Sequence, residues 1–154
     1  SRCMVFHDYG SIFYLSTNVS MNKCNRYSGV YSYPTSDSNS ITSSLTFCTI
    51  ADNIATGYTC IYFETGGAKY EIKSCNIIRN TQVSGSYGTI YTCGNTNIDD
   101  SCILENSATY IFHASSSYTI TLSLTAQSTQ QLWLNWFKLF FSPHLPTRKR
   151  KVDR

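Results

Sequence analysis

Short bursts of alternating apolar and polar residues recur along the chain, each followed by a Cys and then an Asn. The segments are SLTF ahead of Cys48, KYEIKS ahead of Cys75 and NIDDS ahead of Cys102, with a further YTITLS at residues 118–123. A period of two marks a strand with one buried face. The runs that follow read CTIADN from Cys48 to Asn53, CNIIRN from Cys75 to Asn80, and a shortened CILEN from Cys102 to Asn106. The three Cys stand 27 residues apart, and Cys24 precedes the first by 24. Past each Asn comes a Gly, Ser or Thr patch and then a second apolar stretch at residues 58–63, 89–91 and 110–112, with earlier counterparts at 11–15 and 30–33. Each unit therefore reads strand, Asn-marked bend, strand, polar turn.

A unit of this size with no helix cannot bury its own apolar face, so it must stack on its neighbours. The expected fold is all-β: a right-handed parallel β-helix, or solenoid, of about five coils over residues 1–126, with successive strands about 4.8 Å apart. Equivalent side chains then form ladders, with Cys48, Cys75 and Cys102 in one inward column and Asn53, Asn80 and Asn106 in another. Stacked Asn amides can bond to one another and satisfy polar groups that would be costly to bury alone.

These C-x-I-x-x-N units, followed by G-x-I-Y and an aromatic-rich second strand, resemble the β-helix repeats of large protist surface proteins described as polymorphic-outer-membrane-protein-like, within the pectin-lyase-like superfamily. The resemblance covers roughly residues 9–126. It implies a cysteine-rich extracellular shaft serving in attachment or surface coating. The chain departs from that pattern in having few coils and in a C-terminal segment that does not continue the repeat.

Composition sharpens the setting. Only 14% of residues are charged, and 22 Ser and 18 Thr solvate the surface with hydroxyls instead. Residues 1–126 carry a net charge of −2 and residues 127–154 a net of +5, so the overall +3 belongs to the C-terminal segment. The body thus lacks the basic patch of a nucleic-acid groove. Seven Cys without a C-x-x-C argue for an oxidising compartment and against a zinc ribbon. The odd count leaves at least one thiol unpaired or intermolecular. The parallel Cys column is read as mainly free thiols, since stacked side chains seldom meet the disulfide dihedral, and Cys60 and Cys93 are the better bridge candidates. Asn18-Val19-Ser20 is a candidate N-glycosylation site. The start at Ser1-Arg2-Cys3 shows no secretory leader, so either a leader has been removed or the chain is a fragment of a longer one, the reading favoured here.

Residues 127–154 are a separate, basic segment. The run 132–141 predicts a short amphipathic helix with polar positions at Asn135, Lys138 and Ser142, a capping box at Ser128 and Gln131, and a stop at Pro143. Its roughly ten apolar residues are too few to span a bilayer, which takes about twenty. Three readings stand: a cap on the open end of the stack, an interfacial anchor using Arg148–Lys151, or an out-of-frame segment. Arg148–Lys151 also matches a nuclear-localisation pattern, which the cysteines and sequon oppose.

The sequence offers little for catalysis. Asp99 and Asp100, near Asn95 and Asn97, are the leading enzymatic candidates, because pectin-cleaving relatives of the fold carry carboxylates on one sheet face as acid and base or as Ca²⁺ ligands. Residues 94–100 nevertheless have the composition of a turn, and neither a Gly-His-Gly segment nor an Arg-x-Lys pair accompanies them. His7, His113 and His144 share no ligand spacing, and Gly85 and Gly88 read as turn glycines. Tyr27, Tyr31, Tyr33, Tyr58, Tyr62 and Tyr91 serve either as half-buried packing or as platforms for sugars. The expectation is a non-catalytic extracellular surface or adhesin-type repeat, requiring no cofactor and no metal, with glycans or a host-surface protein as partner. Membrane contact would come only through the C-terminal segment. The alternatives are a truncated or divergent pectin-lyase-like carbohydrate-active enzyme and a non-functional, frame-damaged repeat fragment.

Overall fold

A computed structural model describes residues 5–34 and 40–123. The chain winds as a parallel β-solenoid of about four turns, with no helix among the described residues. The first sheet stacks Val5–Asp8, Val30–Tyr33, Ile61–Phe63, Ile90–Thr92 and Phe112–Ala114. The second stacks Ile12–Leu15, Ile41–Thr46, Lys69–Lys73, Asn95–Asp99 and Ile120–Ser123. A third runs through Asn18–Ser20, Thr49–Ala51, Asn76–Ile78 and Cys102–Leu104, and a fourth, of two-residue strands, through Lys23–Cys24, Ile54–Ala55 and Thr81–Gln82. Every strand pairing is parallel and joins a strand to its equivalent in the next coil.

The sharp corners come from single residues in the left-handed region. Ser16, Phe47, Ser74 and Asp100, with φ of 49°, 53°, 51° and 47°, join the second sheet to the third. Met21, Asp52, Arg79 and Glu105, with φ of 58°, 57°, 52° and 55°, stand just before each Asn. A non-Gly residue in this region costs about 1–2 kcal/mol. The corner backbone is held because its N–H groups bond to the next coil, as Phe47 N does to Lys73 O (3.0 Å) and Asp52 N to Ile78 O (3.1 Å). Corner side chains splay into solvent, and Arg79 there grips Asp52 through two bonds of 2.7 and 2.8 Å. Both side chains are about half exposed, so the pair steadies the corner only weakly.

Aliphatic columns fill the interior. Val19, Ile50, Ile77 and Ile103 line up from the third sheet. Val30, Ile61, Ile90 and Phe112 line up from the first, although 31, 29 and 22 residues separate them, because the connections between the first and second sheets, and to a lesser extent those between the fourth and first, absorb the difference. Tyr70 from the second sheet stacks on Phe63 at 4.3 Å. The middle coils are closed: Ile50, Ile61, Ile72, Ile77 and Ile90 are wholly buried, while Val5, Ile103, Phe112 and Ile120 at the two ends are only partly covered.

Several expectations are corrected. The turns number about four, not five. Each full turn has four strand positions, because the C-x-I and post-Asn residues form the third and fourth sheets. Residues 11–15 belong to the second sheet, where Ile12–Leu15 pairs with Ile41–Thr46; the first-sheet strand of that coil is Val5–Asp8. Asn95–Asp99 is a strand and not a turn, because Thr96 and Ile98 point inward while Asn95 and Asn97 face solvent. The predicted C-terminal helix, its caps, His144 and the basic cluster at 148–151 lie outside the described residues.

Candidate functional site

Two polar columns run through the corners of the stack. In the first, the Oδ1 of each Asn accepts both the backbone N–H and the side-chain amide of the Asn one coil earlier. Asn22 bonds Asn53 Oδ1 at 3.1 and 2.8 Å, Asn53 bonds Asn80 Oδ1 at 3.1 and 2.9 Å, and Asn80 bonds Asn106 Oδ1 at 2.9 and 3.0 Å. Each Nδ2 also donates back to a strand carbonyl: Asn53 to Val19, Asn80 to Ile50 and Asn106 to Ile77, at 2.9, 2.8 and 2.7 Å. Asn53 and Asn80 are fully buried. Asn22 extends the ladder beyond the three Asn named from sequence. Its segment, Thr17 to Asn22, keeps the spacing but carries Thr where the later coils have Cys.

The second column solves the same problem with sulfur. The Cys48 N–H donates to Cys75 Sγ at 3.3 Å, and the Cys75 N–H donates to Ser101 Oγ at 3.1 Å. Each thiol donates in turn to strand carbonyls: Cys48 to Thr46 and Tyr14, Cys75 to Lys73 and Leu45. Cys102 is therefore not the third rung. It stands opposite Asn76, on the outer side of the third sheet, because the segment from Cys102 to Asn106 is one residue short and the inward place falls to Ser101. The equal spacing of the three Cys conceals a shift of register. Because the column works by hydrogen bonding, Cys75→Ser should be tolerated better than the apolar, similarly sized Cys75→Val. The Val variant leaves the Cys48 N–H buried without an acceptor, at about 1–3 kcal/mol; urea denaturation of both variants checks the order.

The remaining thiols also differ from expectation. Cys60 and Cys93, the bridge candidates, are free, as are Cys48, Cys75 and Cys102, whereas Cys24, in the fourth sheet opposite Ala55, is disulfide-bonded. Burial pushes the Cys60 thiol up to about 12 and Cys75 to about 11, against an ordinary value of 9.0. Unfolded thiols thus ionise first, and the unfolded state binds fewer protons over that interval. Stability should fall as pH rises from about 9 toward 12, read as a declining urea midpoint that Cys60→Ala makes shallower.

The side chains with surplus chemistry lie on the outer face of the first sheet. In register, Phe6, Tyr31, Tyr62, Tyr91 and His113 form one column. Phe6 stacks on Tyr31 at 4.5 Å, Tyr31 on Tyr62 at 5.7 Å, and Tyr62 meets Tyr91 at 5.0 Å. Four residues upstream in each coil, Tyr27, Tyr58 and Tyr87 form a second column across it, Tyr58 and Tyr87 lying nearly parallel at 5.2 Å. Tyr31, Tyr62 and Tyr91 are buried beneath it, so they act as packing, while Tyr58 and Tyr87 are half-exposed and Tyr110 is exposed. The Tyr31 hydroxyl donates to Glu64; burial first and this carboxylate second raise its pKa well above the ordinary phenol. Burial, then Cys93, pushes Tyr91 up to about 12. Arg26 lies 5.5 Å from the Tyr58 ring centre. Tyr87 was not singled out from sequence; the repeated four-residue spacing of Tyr27 and Tyr31, Tyr58 and Tyr62, Tyr87 and Tyr91 is the signal that finds it.

The other candidates stand apart from this face. Asp99 ends a second-sheet strand beside Lys73 and Ser123, and Asp100 occupies the next corner. Asn95 and Asn97 lie on the strand's outer face, and Asn95 Oδ1 accepts from Thr119 N at 3.1 Å. His113 bonds Ser86 O at 2.7 Å, far in sequence from His7. Gly85 and Gly88 have φ of 114° and 87°, as turn glycines do. Asn18 is exposed on the end strand of the third sheet. Among the described residues no three His, Cys, Asp or Glu cluster as metal ligands, and no helix is long and apolar enough to cross a membrane. Compared with protein-family models, curated proteins and solved structures, the chain finds no match, so the parallel β-solenoid is what its own geometry establishes.

Proposed function

We propose that this chain is part of a non-catalytic extracellular shaft of adhesin type, in which the stacked coils supply a stiff rod and the tyrosine face of the first sheet contacts glycans of a host or neighbouring surface. The observation that carries this reading is the two-column aromatic face. Its inner tyrosines are locked by packing, Tyr58 and Tyr87 above them are half-exposed, and the exposed Tyr110 lies against His113 at the end of the inner column, 5.4 Å between ring centres. A ring that is apolar on its face and polar at its tip suits a sugar, which presents C–H patches and hydroxyls together. Arg26 and Glu64 beside the rings supply charged donors and acceptors. The disulfide-bonded Cys24 favours an oxidising, extracellular setting. Kinship with the pectin-lyase-like and polymorphic-outer-membrane-protein-like repeats belongs to the same proposal and rests on the C-x-I-x-x-N units.

The test is co-sedimentation of the full chain with insoluble polysaccharides and mucin-type glycans, alongside a Tyr87→Ala, Tyr110→Ala double variant. Binding of the unaltered chain that weakens about tenfold or more in the double variant supports the reading, since aromatic anchors dominate such contacts. No binding to any glycan overturns it. Cleavage of an acidic polysaccharide, abolished by Asp99→Ala with Asp100→Ala, would put an enzyme in its place.

A further inference from the structure

We propose that Tyr58 and Tyr87 are a pre-set pair for oxidative coupling into a dityrosine bond that staples two successive coils. Their rings come from equivalent positions 29 residues apart. They stack with centroids 5.2 Å apart and planes only 10° from parallel, the flattest tyrosine pair on this face. Tyr27 meets Tyr58 at 58° and is itself buried, while Tyr87 meets Tyr91 edge-on at 85°. The backbones carrying the pair are tied together by one side chain: the Gln82 amide donates to Tyr58 O, and its oxygen accepts the Gly88 N–H at 3.2 Å. Both rings are half-exposed, within reach of an oxidant.

The chemistry balances with one co-reactant class, hydrogen peroxide used by a haem peroxidase. Each phenol gives up one electron to the oxidant and its hydroxyl proton to solvent. The unpaired spin spreads to the ring carbons ortho to oxygen, and two such carbons join. Each ring then loses its ortho hydrogen as a proton and regains its phenol. One C–C bond forms, two C–H bonds break, and peroxide takes up two electrons and two protons to leave two waters. Holding the rings face to face raises the effective concentration of one radical at the other far above that of a second chain in dilute solution. The coupling goes beyond the glycan-binding reading and would hold in its absence.

The full chain is treated with haem peroxidase and limiting hydrogen peroxide at low protein concentration. Dityrosine fluorescence should appear in the monomer fraction. Mass spectrometry should find the peptide bearing Tyr58 joined to the one bearing Tyr87, two hydrogens lighter than their sum. Tyr87→Phe should cut the monomer product by about tenfold or more with an unchanged circular dichroism spectrum, while Tyr9→Phe, an exposed tyrosine outside the pair, leaves it in place. The proposal is overturned if coupling is found only between chains, if the intramolecular link maps elsewhere, or if Tyr87→Phe leaves the yield unaltered.

Discussion

Asn80→Ala should destabilise the chain by more than about 3 kcal/mol. Removing this amide leaves the Asn53 N–H without its acceptor and Asn53 Nδ2 with only Val19 O, and takes from Ile50 O a donor it receives at 2.8 Å. Asn53 and Ile50 are wholly buried, so water cannot replace what is lost, and each unsatisfied group costs about 1–3 kcal/mol. Against a total stability of about 5–15 kcal/mol for a small domain, the variant sits near unfolding. Asn80→Asp separates shape from chemistry. A carboxylate there can still accept from Asn53, but it meets Ile50 O and Asn106 Oδ1 with no donor to offer, so burial raises its pKa. The unfolded Asp ionises at about 3.9, so this variant should lose stability as pH rises above that value, whereas the unaltered chain should not. Urea midpoints of the three proteins at acidic and neutral pH measure both effects.

Ile77→Ala should cost about 2–5 kcal/mol. Ile77 is wholly buried at the centre of the column shared with Ile50 and Ile103. Coils above and below are pinned by the Asn ladder and cannot collapse into the void. Its neighbour Ile78 points outward and is partly exposed, so Ile78→Ala removes the same atoms at a fraction of the cost, under about 1 kcal/mol. The ratio between the two reports directly on the alternation along this strand; equal losses would place both residues in one environment and refute the register.

Much of the fold was written in the order of residues. The strands ahead of each Cys, the bends at Asn53, Asn80 and Asn106, and their stacking in parallel follow from alternation and a repeated spacing, because a column of identical side chains needs identical phase. Where phase slips by one residue, spacing misleads. Asn80 and Asn106 lie one residue closer than Asn53 and Asn80, and Cys102 kept its distance from Cys75 only by leaving the column to Ser101. Asn22 was hidden because Thr17 replaces the Cys that flags its unit. Residues 95–99 carried turn composition, yet parallel pairing on both sides overrode it. Which cysteine is bridged was not legible, since disulfide geometry depends on coordinates. The aromatic face was visible as an excess of tyrosine, but its division into buried and reachable rings depends on which column lies on top.

The most direct test of this architecture is site-resolved amide hydrogen exchange by NMR. Bonds that lock one coil to the next should exchange only through global unfolding. The Asn53 and Asn80 backbone amides, which donate to side chains and not to strand carbonyls, should therefore be as protected as those of Ile61 and Ile90 in the first sheet, and both protections should drop together in Asn80→Ala. Rapid exchange at Asn53 and Asn80 beside slow exchange at Ile61 and Ile90 would contradict a continuous Asn ladder at the core of the stack.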